Sequence, residues 1–296
     1  MSILVFGSNG LVGSNVVDEG RAQGYSVVGT YHSSEPDFDI ELSECDIRDE
    51  SRVRSVIRDL EPDVVVNCAA YTDVDGCERE PQKAQAVNAA APGVMAETCA
   101  EHGVSFVHLS TDYVFDGTAE RPYREDDEPN PIQVYGETKL EGERRVLDEH
   151  PEALVLRLSF VWGEHGATGD LQGFPAWVLD RARNGEALPL FTDQYVTPTN
   201  ARFAAETVLS LVEREVSGIY NVASRDCVSP YEFGRRVLRR LTSDADLLEQ
   251  RSMADVSRDA ARPHDTCLET TILEEKMGRR TPSLDAEIED VIPSTP

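Results

Sequence analysis

Lysine is almost missing from this 296-residue chain: only Lys83, Lys139 and Lys276 occur, and arginine carries nearly all the positive charge. Positive charge is scarce as a whole. Lys and Arg total 28 against 55 Asp and Glu, a formal net charge of −27. The acid is spread along the chain rather than gathered in a tail. Such a surface repels itself in dilute buffer and is screened at high ionic strength, so the composition fits a halophilic source. It also argues against nucleic acid as a partner, because phosphates need a basic footprint.

Other absences narrow the field further. No apolar run reaches the roughly eighteen residues of a transmembrane span, so no membrane association is expected. The six cysteines form no C-x-x-C pair, which predicts reduced thiols. The six histidines show no H-x-x-x-H spacing, so no catalytic metal is expected. The N-terminus runs straight into an apolar strand with no signal-peptide pattern. Together these predict a cytoplasmic protein. No internal repeat or low-complexity tract interrupts the chain.

The N-terminus holds the first positive signal. Ile3-Leu4-Val5-Phe6 reads as a buried parallel strand. Gly7, Gly10 and Gly13 follow in G-x-x-G-x-x-G spacing. A helical pattern then runs from Leu11 to about Gln23, and Ser26–Thr30 reads as a second strand. This strand–turn–helix–strand unit is the setting a dinucleotide site needs. Gly7 allows the tight turn, Gly10 a close approach of backbone to pyrophosphate, and Gly13 close helix packing. The helix N-terminus offers free N–H groups to the phosphates. At the end of the second strand, Thr30-Tyr31-His32-Ser33-Ser34 carries no carboxylate until Glu35. An acidic residue there would hold the ribose 2′-OH of NAD. Hydroxyls and a histidine suit a 2′-phosphate instead, which favours NADPH. No arginine stands in the segment, so NADH use stays open.

Strand and helix patterns alternate to about residue 158. An amphipathic segment spans Arg52–Leu60, a buried strand Asp63–Asn67, a long Ala-rich helix Pro81–His102, a strand Val104–Leu109 and another strand Ala153–Leu158. A short further element is expected near Glu41. This pattern predicts an α/β fold, a Rossmann doubly wound parallel sheet. Beyond residue 160 the pattern loosens, with helices near 174–184, 201–214 and 230–241 and a short strand at Gly218–Asn221. Residues 1–160 are read as the NAD(P)-binding domain. Residues 161–296 are read as a smaller C-terminal α/β substrate lobe, interleaved with it in space.

The chemistry is read from Tyr135-Gly136-Glu137-Thr138-Lys139. In a helix, positions four apart share a face. A neighbouring ammonium favours phenolate and lowers a tyrosine pKa, making Tyr135 a candidate general acid or base. Thr111 ends the strand before this helix, where its hydroxyl can hydrogen-bond the oxygen that Tyr135 protonates. Thr111, Tyr135 and Lys139 form a candidate catalytic triad.

The spacing of the glycines and the Tyr/Lys pair resemble the extended short-chain dehydrogenase/reductase family. Ser110–Gly117, Asp193–Thr199 and Ala261-Arg262-Pro263 are similar to its dTDP-4-dehydrorhamnose reductase group. The resemblance implies hydride transfer from NADPH to the 4-keto group of a nucleotide-activated deoxysugar. In it Lys139 would also hold the nicotinamide ribose. Asn9, Leu11 and Val12 would join the glycines at the cofactor. Tyr31, His32, Ser33, Asp46 and Ile47 would line its adenosine half, and Cys68, Ala69, Ala70 and Tyr71 would lie against it. Thr72, Asp73, Val114, Phe115 and Phe160 would meet the substrate, and Arg262 its diphosphate. Asn88 would be structural. The partners implied are the nucleotide sugar alone, on a monomer or homodimer.

Two departures stand near the expected sugar site: Ser159-Phe160-Val161-Trp162 replaces the group's Ser-Trp-Val-Tyr, and Val196 replaces a small residue. Rival readings stay open. A sugar-nucleotide dehydratase would need a second carboxylate after Asp112, where Tyr113 stands. An epimerase shares the Tyr/Lys pair but keeps NAD bound. A non-catalytic regulatory subunit like that of methionine adenosyltransferase shares the fold.

Overall fold

A computed structural model describes residues 1–240 and 245–292. Seven parallel strands form the central sheet. In chain order they are β1 (Ser2–Phe6), β2 (Ser26–Tyr31), β3 (Glu41–Glu44), β4 (Val64–Asn67), β5 (Ser105–Thr111), β6 (Leu154–Leu158) and, after three short strands, β10 (Gly218–Val222). The short strands are β7 (Gly163–Glu164), β8 (Leu171–Gln172) and β9 (Leu188–Phe191); β11 (Leu248–Arg251) pairs with β9. The sheet order is β10-β6-β5-β4-β1-β2-β3. The chain reverses direction across the sheet between β1 and β4, and ligands bind at the carboxyl ends of strands beside such a switch.

Strands β1, β4 and β6 are buried on both faces, so they read as continuous apolar runs rather than alternating ones. Two apolar layers cover the sheet. One packs α1 (Leu11–Ala22) and α8 (Ala201–Glu213) around Val16, Val17, Val208 and Leu209. The other packs α2 (Glu50–Leu60) and α5 (Ala91–His102) around Val53, Ile57, Met95 and Cys99. The amphipathic segment, the short element near Glu41 (β3) and the other five of the first six strands stand where expected.

Three differences have physical causes. The long Ala-rich helix keeps its expected bounds, 81–102, but a π turn at Ala86–Ala90 interrupts it between α4 (Pro81–Gln85) and α5, and a separate short helix, α3 (Val74–Arg79), precedes it. The wide turn turns the Asn88 side chain toward Tyr71, described below. The strand at 218–222 belongs to the main sheet, pairing with β6 in parallel, not to the smaller lobe. Helix α8 also returns to the sheet, so the segment beyond 160 supplies both lobes. Residue 241, where one expected helix ends, lies outside the described residues; the observed helix α9 is Pro230–Leu238.

The smaller lobe has its own core. Trp162, Val178, Leu188, Leu190, Phe233 and Leu284 pack together between α7 (Phe174–Arg183), α9 and α11 (Leu284–Val291). One link between distant segments is covalent. Cys227 and Cys267 form a disulfide with Cα atoms 5.5 Å apart. This corrects the expectation of reduced thiols for those two. Bridges between Val196 and Val228 and between Tyr195 and Asp265 bring the two loops together, a proximity that spacing in sequence does not reveal. Among the described residues no helix is long and apolar enough to cross a membrane.

Candidate active site

The dinucleotide loop begins at the end of β1. Gly7 takes φ +75°, a left-handed conformation that favours glycine. Gly13 lies so close to the Gly7 carbonyl that any Cβ there would collide with it. Gly10 is the N-cap of helix α1 and has no side chain to cap the first turn. Its leading N–H groups are therefore available to an anion. The Asn9 side chain turns away and donates to the Ser34 carbonyl at 3.2 Å.

A cavity of about 570 Å³ opens beside this loop at the carboxyl edge of the sheet. It runs from Gly10, Leu11, Val12 and Gly13, past Cys68 and Ala70, to Thr111, Tyr135 and Lys139. Thr72 and Phe160 line its far part. A second cavity of about 350 Å³ lies on the other side of Gly7, lined by Tyr31, His32, Asp46, Ile47, Ala69 and Tyr71. The structure thus brings the three catalytic candidates and most of the cofactor candidates to one continuous edge. Ser33 lines neither cavity.

Helix α6 (Val134–Glu149) delivers Tyr135 and Lys139. It can approach the sheet because two glycines face carbonyls: Gly136 meets Tyr113 and Gly142 meets Asn88. The Asn88 amide accepts from the Tyr71 N–H at 2.8 Å and donates to the Tyr71 carbonyl at 3.0 Å and to Thr138 Oγ1 at 3.3 Å. It therefore ties the loop after β4 to the catalytic helix. Thr111 Oγ1 accepts from the Tyr113 N–H at 3.2 Å and donates to Asp112 Oδ1 at 3.0 Å. The rings of Tyr113 and Tyr135 meet edge to face at 6.0 Å.

The electrostatics differ from the expectation at one point. Lys139 does not lower the Tyr135 pKa in this structure. Burial pushes the Tyr135 phenol well above its usual range, opposed by a hydrogen bond with Thr111. The Lys139 ammonium donates instead to the Leu109 carbonyl. Burial brings Lys139 down to about 8, with Glu143 acting to raise it. Tyr135 thus keeps its proton at neutral pH and is suited to donate it to a forming alkoxide.

Sequence reading missed the most connected residue of the site. Asp112 is buried, and burial raises its carboxyl to about 6. It accepts from Thr111, from Ser159 Oγ at 2.7 Å and from Thr266 Oγ1 at 2.5 Å. Its place directly after a strand-end hydroxyl was the available signal. Tyr113 and Val196 also line the cavity. Arg48 and Lys83 line the adenosine-side cavity, where no cation was expected. The Arg48 guanidinium contacts Asp46 at 2.6 Å and holds its carboxyl down at about 2; His32 lies 3.5 Å from the same carboxylate.

Four substrate candidates are not at the cavity. Val114 and Phe115 are fully buried, with Phe115 stacked on Tyr123 at 4.1 Å. Val114 ends a short 3₁₀ turn and Phe115 follows it, and the turn directs both into a satellite core with Leu140 and Leu268. Asp73 caps α3, accepting from the Gly76 N–H at 2.9 Å, and pairs with Arg79. Arg262 is bound to Asp75 at 2.9 Å.

A Rossmann sheet whose switch-point cavity joins a glycine loop to a Thr/Tyr/Lys set defines an NAD(P)H-dependent oxidoreductase of the extended short-chain type. Residues 1–295 match the model of the RmlD substrate binding domain, and the chain belongs to that family. It is 49% identical to a probable low-salt glycan biosynthesis reductase of Haloferax volcanii, over 97% of this chain and 96% of that one. It is 35% identical to dTDP-4-dehydrorhamnose reductase of Mycolicibacterium smegmatis, over 90% and 77% of the two chains. Among solved structures it resembles the NADP complex of the dTDP-4-dehydrorhamnose reductase of Bacillus anthracis, with a TM-score of 0.86, 25% identity and 98% of each chain covered. The corresponding structure from Clostridium acetobutylicum gives a TM-score of 0.88 at 28% identity, covering 99% and 98%.

Proposed function

We propose that this protein uses NADPH to reduce the 4-keto group of a nucleotide-activated deoxysugar, converting dTDP-4-dehydro-L-rhamnose to dTDP-L-rhamnose. The observation that carries this reading is the convergence of Thr111, Tyr135 and Lys139 on a cavity continuous with the glycine loop. The relatives named as dehydrorhamnose reductases support the substrate. The Haloferax relative supports a halophilic setting and a role in building a glycan. A cytoplasmic location is part of this proposal.

The residues present fit an NADP molecule. The uncapped α1 N-terminus would take the pyrophosphate. Arg48, His32 and Lys83 line the adenosine-side cavity and would supply positive charge near a 2′-phosphate, which supports NADPH, although Arg48 is paired with Asp46 and Lys83 with Glu80. Cys68 and Ala70 form a wall of small side chains along which the nicotinamide half would lie, and Ala69 lines the adenosine side. When bound, the cofactor supplies the hydride.

The remaining chemistry belongs to the chain. Tyr135, kept protonated by burial, donates its phenolic proton to the oxygen of the reduced carbonyl. Thr111, held beside it by Asp112, would turn its single hydroxyl proton from Asp112 Oδ1 to that oxygen and so fix its position. Lys139 holds the nicotinamide ribose and supplies positive charge as the phenolate forms. Proton donation of this kind contributes roughly 10²–10⁴-fold, and fixed orientation of the reactants adds to it.

The test is loss of NADPH absorbance in molar KCl with dTDP-4-dehydro-L-rhamnose, run beside Tyr135→Phe. Turnover that drops by about 10²-fold or more in the variant, with NADPH still bound, is the expected result. A wild-type protein that binds NADPH but leaves this sugar unreduced would sink the substrate assignment.

A further inference from the structure

Arg258 is the one arginine shielded from solvent, among the described residues, with no carboxylate within ion-pairing distance; Asp75, already paired with Arg262, acts on it only at longer range. The others that are buried or half-buried each reach an acid: Arg54, Arg157, Arg181, Arg236, Arg240 and Arg262. The contrast is sharp in a chain with 55 acids to 28 bases, where a partner is statistically easy to find. Burying part of a guanidinium without a counter-charge is unfavourable. Such a charge persists where something else completes it.

Its position says what that is. The Arg258 guanidinium lies 4.8 Å from the centre of the Phe191 ring, which fixes its plane by cation–π contact. It is close enough to Arg262 that the two charges repel, and both act on the Tyr113 hydroxyl. Tyr113 lines the catalytic cavity beside Thr111 and Tyr135. The chain around Arg258 is anchored, not loose: Asp259 pairs with Arg79 at 2.7 Å, and the Ala260 N–H donates to Asp75 at 2.9 Å. Arg262, the residue expected to hold a diphosphate, is already spent. Its Nη2 donates to Asp75 Oδ2 at 2.9 Å and its Nη1 to the Ala260 carbonyl at 3.0 Å.

We propose that Arg258 is the diphosphate-binding residue of the nucleotide-sugar site, with Arg262 held beside it as an electrostatic neighbour that Asp75 neutralises. This rests on the nucleotide-sugar reading above. A planar fork with free donors matches phosphate oxygens in pairs. A local unpaired cation also answers a difficulty set by the whole chain, whose charge of −27 opposes any anionic substrate. In molar salt the long-range field is screened within a few ångströms. A direct contact survives that screening.

The experiment measures binding of dTDP, UDP and thymidine by titration calorimetry to the NADP-loaded protein in molar KCl. NADP fills the dinucleotide site, so the probes report on the substrate side. Wild type is expected to bind at least one diphosphate about 10- to 100-fold more tightly than thymidine. Arg258→Gln is expected to lose most of that difference while leaving NADP affinity unchanged, and Arg258→Lys to keep part of it. In turnover the Gln variant should raise KM for the sugar nucleotide by a similar factor, with kcat little altered. A diphosphate advantage retained in Arg258→Gln overturns the proposal, as does a wild type with no such advantage. The two readings fail separately. A wild type that reduces the sugar while Arg258→Gln keeps its KM removes only the Arg258 assignment. Arg258-dependent diphosphate binding with no reduction of any 4-keto sugar removes only the reductase reading.

Discussion

The ammonium of Lys139 donates to the carbonyl oxygen of Leu109 at 2.5 Å, in a site where both Lys139 and Tyr135 are pushed toward their neutral forms by burial. The lysine, brought to about 8 from 10.5, is a cation at neutral pH and loses its proton just above it. Two opposite trends follow. Turnover and NADPH affinity fall as the pH rises through about 8, because the ribose contact needs the ammonium. Stability moves the other way. The unfolded chain binds the extra proton between about 8 and 10.5, so this group's contribution to stability rises with pH across that window. Initial rates and thermal melts on the same samples check both. Lys139→Met should remove the stability rise and nearly all activity. Rates and melting temperature falling together in the wild type would mean general alkaline unfolding instead.

Asp112 has the reverse sign. Its folded pKa of about 6 lies above the ordinary 3.8, so the folded protein binds the extra proton between those values. The resulting stabilisation is complete below about 3.8 and is lost as the pH rises through about 6. At pH 8 the ionised carboxylate costs on the order of 3 kcal/mol relative to acid pH. Asp112→Asn should therefore melt higher than wild type at pH 8 and show no such advantage at pH 4. It should also turn over at least tenfold more slowly. An amide has one oxygen where three hydroxyls converge on two, so Thr111 loses its fixed orientation. An Asn variant with full kcat would show that Asp112 only fills space.

Much of this was legible in sequence because it is local. The glycine loop, the first six strands and the Tyr135–Lys139 pair each declare themselves within a few residues. What was not legible depends on partners far along the chain. Phe115 follows the catalytic strand by four residues, yet a 3₁₀ turn sends it into the core. The importance of Asp112 comes from Ser159 and Thr266, 47 and 154 residues away. Arg262 has the right chemistry for a phosphate, but Asp75, 187 residues earlier, takes it. The expected Lys139 effect on Tyr135 failed for another reason: the two residues share a helix face, but the ammonium is turned to the Leu109 carbonyl, and burial sets the state of the phenol.

The disulfide between Cys227 and Cys267 closes a loop of 40 residues' separation. Chain entropy puts its contribution at about 4 kcal/mol, within the usual range for one bridge. Thiol reduction, or Cys227→Ser, should lower the melting temperature by several degrees. The effect should reach the active site as well, because Thr266 is next to Cys267 and donates to Asp112. Melts and rates with and without dithiothreitol test this, using Cys227→Ser as the control that no longer responds. A melting temperature unchanged by reductant, with free thiols confirmed by alkylation, would show that the bridge adds no stability.

The glycine loop offers a pair of substitutions that separate fold from function. A Cβ on Gly13 would strike the Gly7 carbonyl, and Gly7 is fixed at φ +75° by its turn. Backbone cannot yield there cheaply, so Gly13→Ala should displace α1 from β1, lower the melting temperature of the cofactor-free protein and abolish NADPH binding. At Gly10 the nearest atom to an added Cβ is the same Gly7 oxygen at 3.4 Å, an ordinary contact. Gly10→Ala should therefore leave the cofactor-free melt almost unchanged. It would still place a methyl group at the N-terminus of α1, where the pyrophosphate is expected to approach most closely, and weaken NADPH binding by about tenfold or more. Melting curves with and without NADPH on both variants decide the matter. Equal losses of cofactor-free stability at the two positions would mean that packing, rather than phosphate approach, is what requires glycine at position 10.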